Sequence, residues 1–270
     1  MIKKIFSVAW LGLVLMFMYL PILILAVYSF TDTPTIGTSG NFSMDNYITL
    51  FTTPELLEMI GGTFLLAFGS AVIATILGTV GAIGAFYSKK AARNTVSLVN
   101  QVPVINADVV TGFSICVLLI VVLGIKKDTY VPLVAGHVVM SAPFVFLSVM
   151  PKLKQMNNSL YEAALDLGAS PMQALFKVVS PQIVPGIASG FLMAVTLSLD
   201  DYFIATYTKP STFDTISTYV FNATKGSQTD IKTALWALST LIFVLVVGFV
   251  LVSNLITSKK EVGKLEKSRL

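Results

Sequence analysis

The sequence predicts an all-α polytopic membrane protein with six transmembrane helices and both termini cytoplasmic. Three observations predict it. Apolar residues make up 55% of the 270 positions and charged residues only 12%, against about 25% charged in a soluble domain. Mean hydropathy is +0.82, and several apolar runs come close to the length that crosses a bilayer. Lys and Arg gather in alternate loops, which is the pattern of a chain threaded back and forth through a membrane. The net charge of +4 is scattered over those loops, so topology accounts for it and nucleic acid is not an expected partner. The single cysteine, Cys116, lies inside an apolar run. It excludes an intrachain disulfide and argues against a metal site. The aqueous loops are too short for a separate soluble domain, so residues 1–270 read as one integral membrane domain.

The spans follow in order. Lys3 and Lys4 precede an apolar run over 7–28. A signal peptide would have a shorter apolar core and a small-residue cleavage site, so this run reads as a retained first span. A polar loop to Ile60 holds Asp32, Asp45, Glu55 and Glu58 and no Lys or Arg. The second span covers 61–87, and its Ser70, Ala74, Gly78 and Ala82 recur every four residues, a stripe that lets helix backbones approach closely. Lys89, Lys90 and Arg93 fill the next loop. The third span covers 98–123 and contains Pro103 and Asp108, with Thr111 and Ser114 expected to bond between helices. The fourth covers 131–150 and holds the single histidine, His137, which reads as a packed neutral side chain. The fifth covers 183–207, with Ser198, Asp200 and Asp201, and the sixth covers 233–256.

Orientation follows from the basic residues. With the N-terminus inside, 13 of the 18 Lys and Arg fall on cytoplasmic segments, five of them in the tail. The positive-inside rule then fixes six spans with both ends in the cytoplasm. It also puts the loop 152–182 on the cytoplasmic face.

That loop has the punctuation of a folded element. Leu160, Ala163, Ala164 and Leu167 recur at helical spacing. Gly168 stands where a helix stops. Ser170 and Pro171 then form an N-cap and a first-turn proline that restart a helix to about Val179. Pro181 and Pro185 close the segment and shape the entry to the fifth span.

Glu162-Ala163-Ala164, then Gly168, Val178 and Ser180-Pro181 at their spacing, resemble the EAA loop of ABC importer permeases. Val178 is a conservative change, and Ser180 stands where that family has leucine. The resemblance implies a type I ABC importer permease fold. It also implies that Glu162, Ala163, Ala164, Gly168 and Pro181 belong to a coupling element that docks on a cytoplasmic ATPase subunit. The run Gly190-Phe191 to Ser198-Leu199-Asp200-Asp201-Tyr202-Phe203, with Ser141-Ala142-Pro143-Phe144, is similar to spermidine/putrescine permeases. The likeness is greater to the second (PotC-type) of their two permease subunits. The implied assembly sits in a bacterial inner membrane. It has a second homologous permease, two ATPase subunits that carry the ATP and Mg, and an extracytoplasmic polyamine-binding protein. This subunit itself would hold no cofactor, contact membrane lipid, and perform no chemistry.

The residues support a cationic cargo independently. Asp108, Asp200 and Asp201 are the acidic residues assigned to spans. A carboxylate at a helix centre costs at least about 2.5–3.5 kcal/mol, so each should face a water-filled path or a partner. No Lys or Arg lies within a span to pair with them. A polyamine, ammonium groups joined by methylenes, wants spaced carboxylates and aromatic faces. Asp108, Ser198, Asp200, Asp201 and Tyr202 are therefore the expected substrate path. Adjacent helical residues point about 100° apart, so one aspartate of the pair can line the path while the other bonds within the bundle. Seven outer-loop carboxylates would concentrate cations at the mouth.

Two other classes compete with this reading. A proton- or sodium-coupled secondary transporter of a small cation would use the intramembrane carboxylates, but would leave the punctuated loop without a role. An ABC permease for a different small solute would share most of the frame. A membrane enzyme finds no support: the chain has no H-E-x-x-H, no G-x-S-x-G and no cysteine–histidine grouping. It also has no G-x-x-x-x-G-K-[ST] pattern, so nucleotide hydrolysis must belong to a partner.

Overall fold

The structure is a computed structural model, and it describes residues 2–33, 35, 37–157, 159–225, 233–244 and 247–248. The basic tail, the end of the sixth apolar run, Asp230 and Lys232, and Asn158 lie outside the described residues. Four helices are long and apolar enough to cross a membrane: Phe6–Tyr28 within α1 (Ile2–Tyr28), α3 (Pro54–Tyr87), α6 (Val131–Gln155) and the continuous stretch Pro171–Asp200. A fifth span arises if α4 (Lys90–Ile105) and α5 (Asp108–Cys116, prolonged by a π-helical stretch Val117–Val122) count as one. Six spans read from the sequence thus become four or five among the described residues. The sixth run is represented by a shorter apolar helix, Thr233–Val244.

The chain divides into two compact units, Met1–Leu57 with Val220–Leu270, and Glu58–Tyr219. In the first, α1 is followed by a turn that Asn46 ties down. Asn46 opens α2 (Asp45–Thr52) and donates to the carbonyls of Ser29 and Thr31 at 3.0 Å each. Tyr28 meets Trp236 edge-on, and Phe30 lies against Phe42 and Tyr47. These aromatics cluster where α1 ends, the place where amphipathic rings settle at a membrane interface.

The second unit is built around α6. Its core is Val145, Phe146, Val149 and Leu153 of α6 against Ala67, Ala71, Ala82 and Ala85 of α3 and Val179, Ile183 and Ala194 of the Pro171–Asp200 stretch. Small residues make this possible. Ser70, Ala74 and Ala82 are buried, and a Cβ on Gly78 would stand 2.7 Å from the Ala142 carbonyl oxygen. The four-residue stripe is thus the buried face of α3, meeting the α6 backbone at Gly78 and Ser198 of the Pro171–Asp200 helix at Ser70. Asn100 of α4 donates to the Pro143 carbonyl at 3.2 Å and ties α4 to the same helix.

Three readings from sequence are corrected. The run 98–123 is not one helix, because it bends by 103° between α4 and α5. Asn106 and Ala107 are extended there, and Asp108 opens α5. Pro103 weakens the last turn of α4, and the carboxylate of Asp108 suits the positive end of α5. Thr111, expected to bond between helices, instead accepts from Asn106 at 3.0 Å within the break. The helix of the fifth span does not begin at 183. The helix α8 (Pro171–Ala174) runs through a π-helical turn, Leu175–Val179, into α9 (Ser180–Asp200). The widened turn accommodates Pro181, whose missing N–H would otherwise interrupt the ladder, while Pro185 lies inside α9. Nor does the helix reach 207. It stops at Asp200, and α10 (Phe203–Thr208) follows after two non-helical residues.

Candidate functional site

The two breaks face one cavity. It has a volume of about 500 Å³ and lies between the α4–α5 bend, α6, and the α9–α10 break. Asn106, Asp108, Asp200, Asp201 and Tyr202 supply its polar lining, and Phe144, Leu197 and Phe203 its apolar lining. Neither Lys nor Arg lines it. Irregular backbone is tolerated at membrane depth only where it borders a cavity or is buried in protein, and here both irregular stretches do. Four of the five path residues expected from the sequence, Asp108, Asp200, Asp201 and Tyr202, come together on these walls. Ser198 does not: it is buried one turn back on α9.

The adjacent aspartates part company. Asp200 ends α9 and is exposed to the cavity, as is Asp108 at the start of α5. Asp201 is 8% exposed. Its Oδ1 accepts the Ile204 N–H at 3.2 Å and its Oδ2 accepts the Ala205 N–H at 2.7 Å. Those N–H groups belong to the opening turn of α10, where a helix has no partners of its own for them. Each such charged bond contributes about 1.5–3 kcal/mol. Asp201 is thus the residue that makes the break stable.

Behind Asp201 lies a polar seam inside the core. His137 of α6 is fully buried, with Nδ1 2.9 Å from Ser198 Oγ and Nε2 3.8 Å from Asp201 Oδ2. Ser198 Oγ is 3.3 Å from Ser70 Oγ, and Ser70 in turn donates to the Leu66 carbonyl at 2.7 Å. The histidine is packed, as its apolar surroundings in the sequence suggest. What periodicity alone does not show is its contact with the path residues.

The punctuated loop folds as a helix–turn–helix. Helix α7 (Ser159–Asp166) carries Glu162 exposed in its first turn, with Ala163 exposed and Ala164 half-buried. Gly168 has φ +85°, and the Ala169 N–H reaches the Ala164 carbonyl while the Gly168 N–H reaches that of Leu165. This six-to-one and five-to-two pair is the Schellman stop. Ser170 and Gln173 then cap each other's backbone at 3.3 and 3.0 Å ahead of Pro171. Tyr161 packs on Tyr87 at the end of α3, ring centroids 4.9 Å apart. Apolar side chains stand out from the element: Leu167 is 89% exposed, and Met172 and Phe176 are also exposed. Pro181 is exposed at the start of α9. Ser180 borders an apolar groove of about 630 Å³ shared with Thr75, Thr79 and Ile83 of α3.

Among the described residues, three of the seven outer-loop carboxylates are committed. Asp214 pairs with Lys209 at 3.0 Å, Asp32 accepts the Asn41 N–H, and Asp128 accepts from Ser211.

Comparison with known proteins decides the class. The sequence pattern of the binding-protein-dependent transport system inner membrane component family matches residues 74–259. The chain belongs to that family. Among relatives, it is 31% identical over 242 residues to the putrescine transport system permease protein PotI of Escherichia coli (strain K12), covering 87% of this chain and 85% of the relative. It is 31% identical over 252 residues to the spermidine/putrescine transport system permease protein PotC of Haemophilus influenzae, covering 93% and 96%. Its fold matches a chain of the bacterial alginate ABC transporter with a TM-score of 0.72 at 18% identity, covering 92% of each. It matches a chain of the MetNI methionine ABC transporter at 0.57, covering 73% of this chain and 92% of that one. The protein is therefore a non-catalytic inner membrane permease subunit of a binding-protein-dependent ABC importer. Such a system implies ATPase and binding-protein partners.

Among the cavity-lining residues that the sequence reading does not name as path residues are Asn106, Phe144 and Leu197. Asn106 carried a readable signal: Pro, then Asn and Asp within six residues, is helix stop-and-start punctuation inside an apolar run.

Proposed function

We propose that this permease conducts a polyamine, spermidine or putrescine, along a path walled by Asp108, Asp200 and Tyr202, with Asp201 and Ser198 supporting it. The observation that carries the reading is the cavity itself. Three carboxylates converge on about 500 Å³ with no basic residue in the lining, so a cation is the natural counter-charge. Phe144, Leu197 and Phe203 offer apolar surface for methylenes beside those charges, and Tyr202 a face for an ammonium group. Relatives that carry out spermidine/putrescine or putrescine transport, at 31% identity, support the same cargo.

The working unit places this subunit as a single permease domain of six spans in the type I arrangement, both termini cytoplasmic, beside a second homologous permease. Two cytoplasmic ATPase subunits bind ATP and Mg, and an extracytoplasmic polyamine-binding protein delivers the cargo. The element from Glu162 to Pro181 docks on an ATPase. Its exposed Leu167, Met172 and Phe176 give apolar anchors, and its unbroken continuity with α9 gives a rigid lever. Because α9 ends at Asp200, a tilt of that lever moves one wall of the cavity.

Competitive uptake tests the cargo. In vesicles holding the assembled importer, spermidine and putrescine should displace each other, and organic anions and metal ions should not compete. Competition by an anion or a metal ion, with amines inert, would overturn the polyamine reading.

A further inference from the structure

We propose that His137 is a positioning residue for the transport path. It orients the Asp201 carboxylate, and through it the Asp200–Tyr202 wall, and it touches no cargo itself. The inference rests on the cation-path reading above and adds a residue to it.

The geometry is that of a histidine held at one nitrogen and aimed with the other. The ring is fully buried on α6, and Ser198 Oγ lies 2.9 Å from Nδ1. Its Nε2 points at Asp201 Oδ2 from 3.8 Å and has no hydrogen-bond partner among the described residues. A buried polar nitrogen left open is costly and calls for a reason. Which nitrogen carries the proton is set by the bond the other makes. An ionised Asp201 selects the tautomer with Nε2–H toward it, and Ser198 then donates its O–H to Nδ1. Ser70, already donating to the Leu66 carbonyl at 2.7 Å, sits 3.3 Å behind Ser198 and limits its rotation.

The consequence is a link across three long helices. Ser70 belongs to α3, His137 to α6 and Ser198 to α9, and they converge on the one carboxylate that caps α10. Asp201 accepts a backbone N–H at each oxygen, and at 3.8 Å the imidazole lies beyond hydrogen-bond distance, so it does not compete with α10. The neutral ring biases the carboxylate by the dipole of its Nε2–H bond, from α6. Asp108 and Asp200 stand on the cavity side, exposed. Their negative charge pushes the Asp201 carboxylate inward, toward the imidazole donor. Asp201 is thereby held at the wall of the cavity, and Asp200 and Asp108 are the exposed carboxylates there.

Two polar substitutions separate this role from packing. His137→Asn keeps an acceptor, its Oδ1, near the Nδ1 position for Ser198 and withdraws from Asp201. His137→Gln reaches the Nε2 position and can present an amide N–H to Asp201. With uptake of putrescine and spermidine measured in vesicles of the assembled importer and normalised to inserted subunit, His137→Asn should raise the KM about fivefold, and His137→Gln should stay near the native value. In an Asp201→Asn background the His137→Asn effect should vanish, because the histidine acts through that carboxylate. Equal behaviour of the Asn and Gln variants, or an Asn effect that persists without the carboxylate, would overturn the proposal. Loss of both variants from the membrane would assign His137 to packing and overturn it too. Asp200→Asn is run beside them. If it leaves KM unchanged, the cation path itself fails; if it raises KM while both His137 variants are silent, only the histidine's role fails.

Discussion

Asp200 and Asp201 are neighbours in sequence with opposite commitments, and the difference is set by where α9 stops. Asp200 is the last helical residue and stays exposed in the cavity, whereas Asp201 turns in and bonds Ile204 and Ala205. Their variants should therefore fail differently. Asp200→Asn and Asp108→Asn remove charge from the path and leave the fold's bonds alone. We expect each to raise the KM for polyamine uptake about tenfold, equivalent to about 1.4 kcal/mol, with normal co-purification of the ATPase. Asp201→Asn keeps one acceptor oxygen for two N–H groups, so it should lower uptake and also reduce the thermal stability of the subunit while assembly persists. A cap of this kind is worth about 0.5–2 kcal/mol, readable as a lower midpoint in a detergent melt. Unchanged uptake in all three variants would make the carboxylates purely structural. The pair was legible in sequence because ionisable residues in an apolar run are conspicuous. Their division of labour was not, because it depends on a helix ending at 200 inside a run whose hydrophobicity continues.

The same limit explains what was legible among the elements. The helix–turn–helix was readable in detail because its signals are local: Gly168 for a left-handed turn, Ser170 with Pro171 for a new helix. The bend at Asn106–Ala107 was not read. Hydropathy averages across it, and the local punctuation of Pro103, Asn106 and Asp108 is outweighed by the apolar run on either side. The helix-breaking effect of Pro181 was overestimated, since the π-helical turn at Leu175–Val179 lets the chain continue. Gly168 offers the sharpest test at this scale. Nothing lies within 4 Å of where its Cβ would be, so any penalty there is conformational and not steric. Gly168→Val should cost about 1–2 kcal/mol and lose ATPase from the purified complex. Gly168→Asn, which tolerates the left-handed region, should retain most of it. Glu162→Lys leaves the turn intact and reverses the charge in the first turn of α7, where a carboxylate is favoured. It too should insert normally and lose the ATPase. Native recovery of ATPase with both Gly168→Val and Glu162→Lys would remove this element from the coupling interface.

At the scale of the molecule, one continuous helix joins the helix–turn–helix to the cavity. Pro171–Asp200 is 30 residues long, about 45 Å at 1.5 Å per residue. That is enough to carry a rigid displacement from one side of a bilayer to the other. The lever has no local energy source, since the chain holds no phosphate-binding loop of the G-x-x-x-x-G-K-[ST] type. Its power must come from outside the subunit. A secondary transporter would instead draw on an ion gradient through the same carboxylates, and the two schemes separate in vesicles. With ATP trapped inside and the proton gradient collapsed by an uncoupler, uptake should persist. With the gradient intact and ATP absent, it should stop. The reverse result would make the helix–turn–helix a passive surface feature, and would turn the three carboxylates from a cation path into the coupling machinery itself.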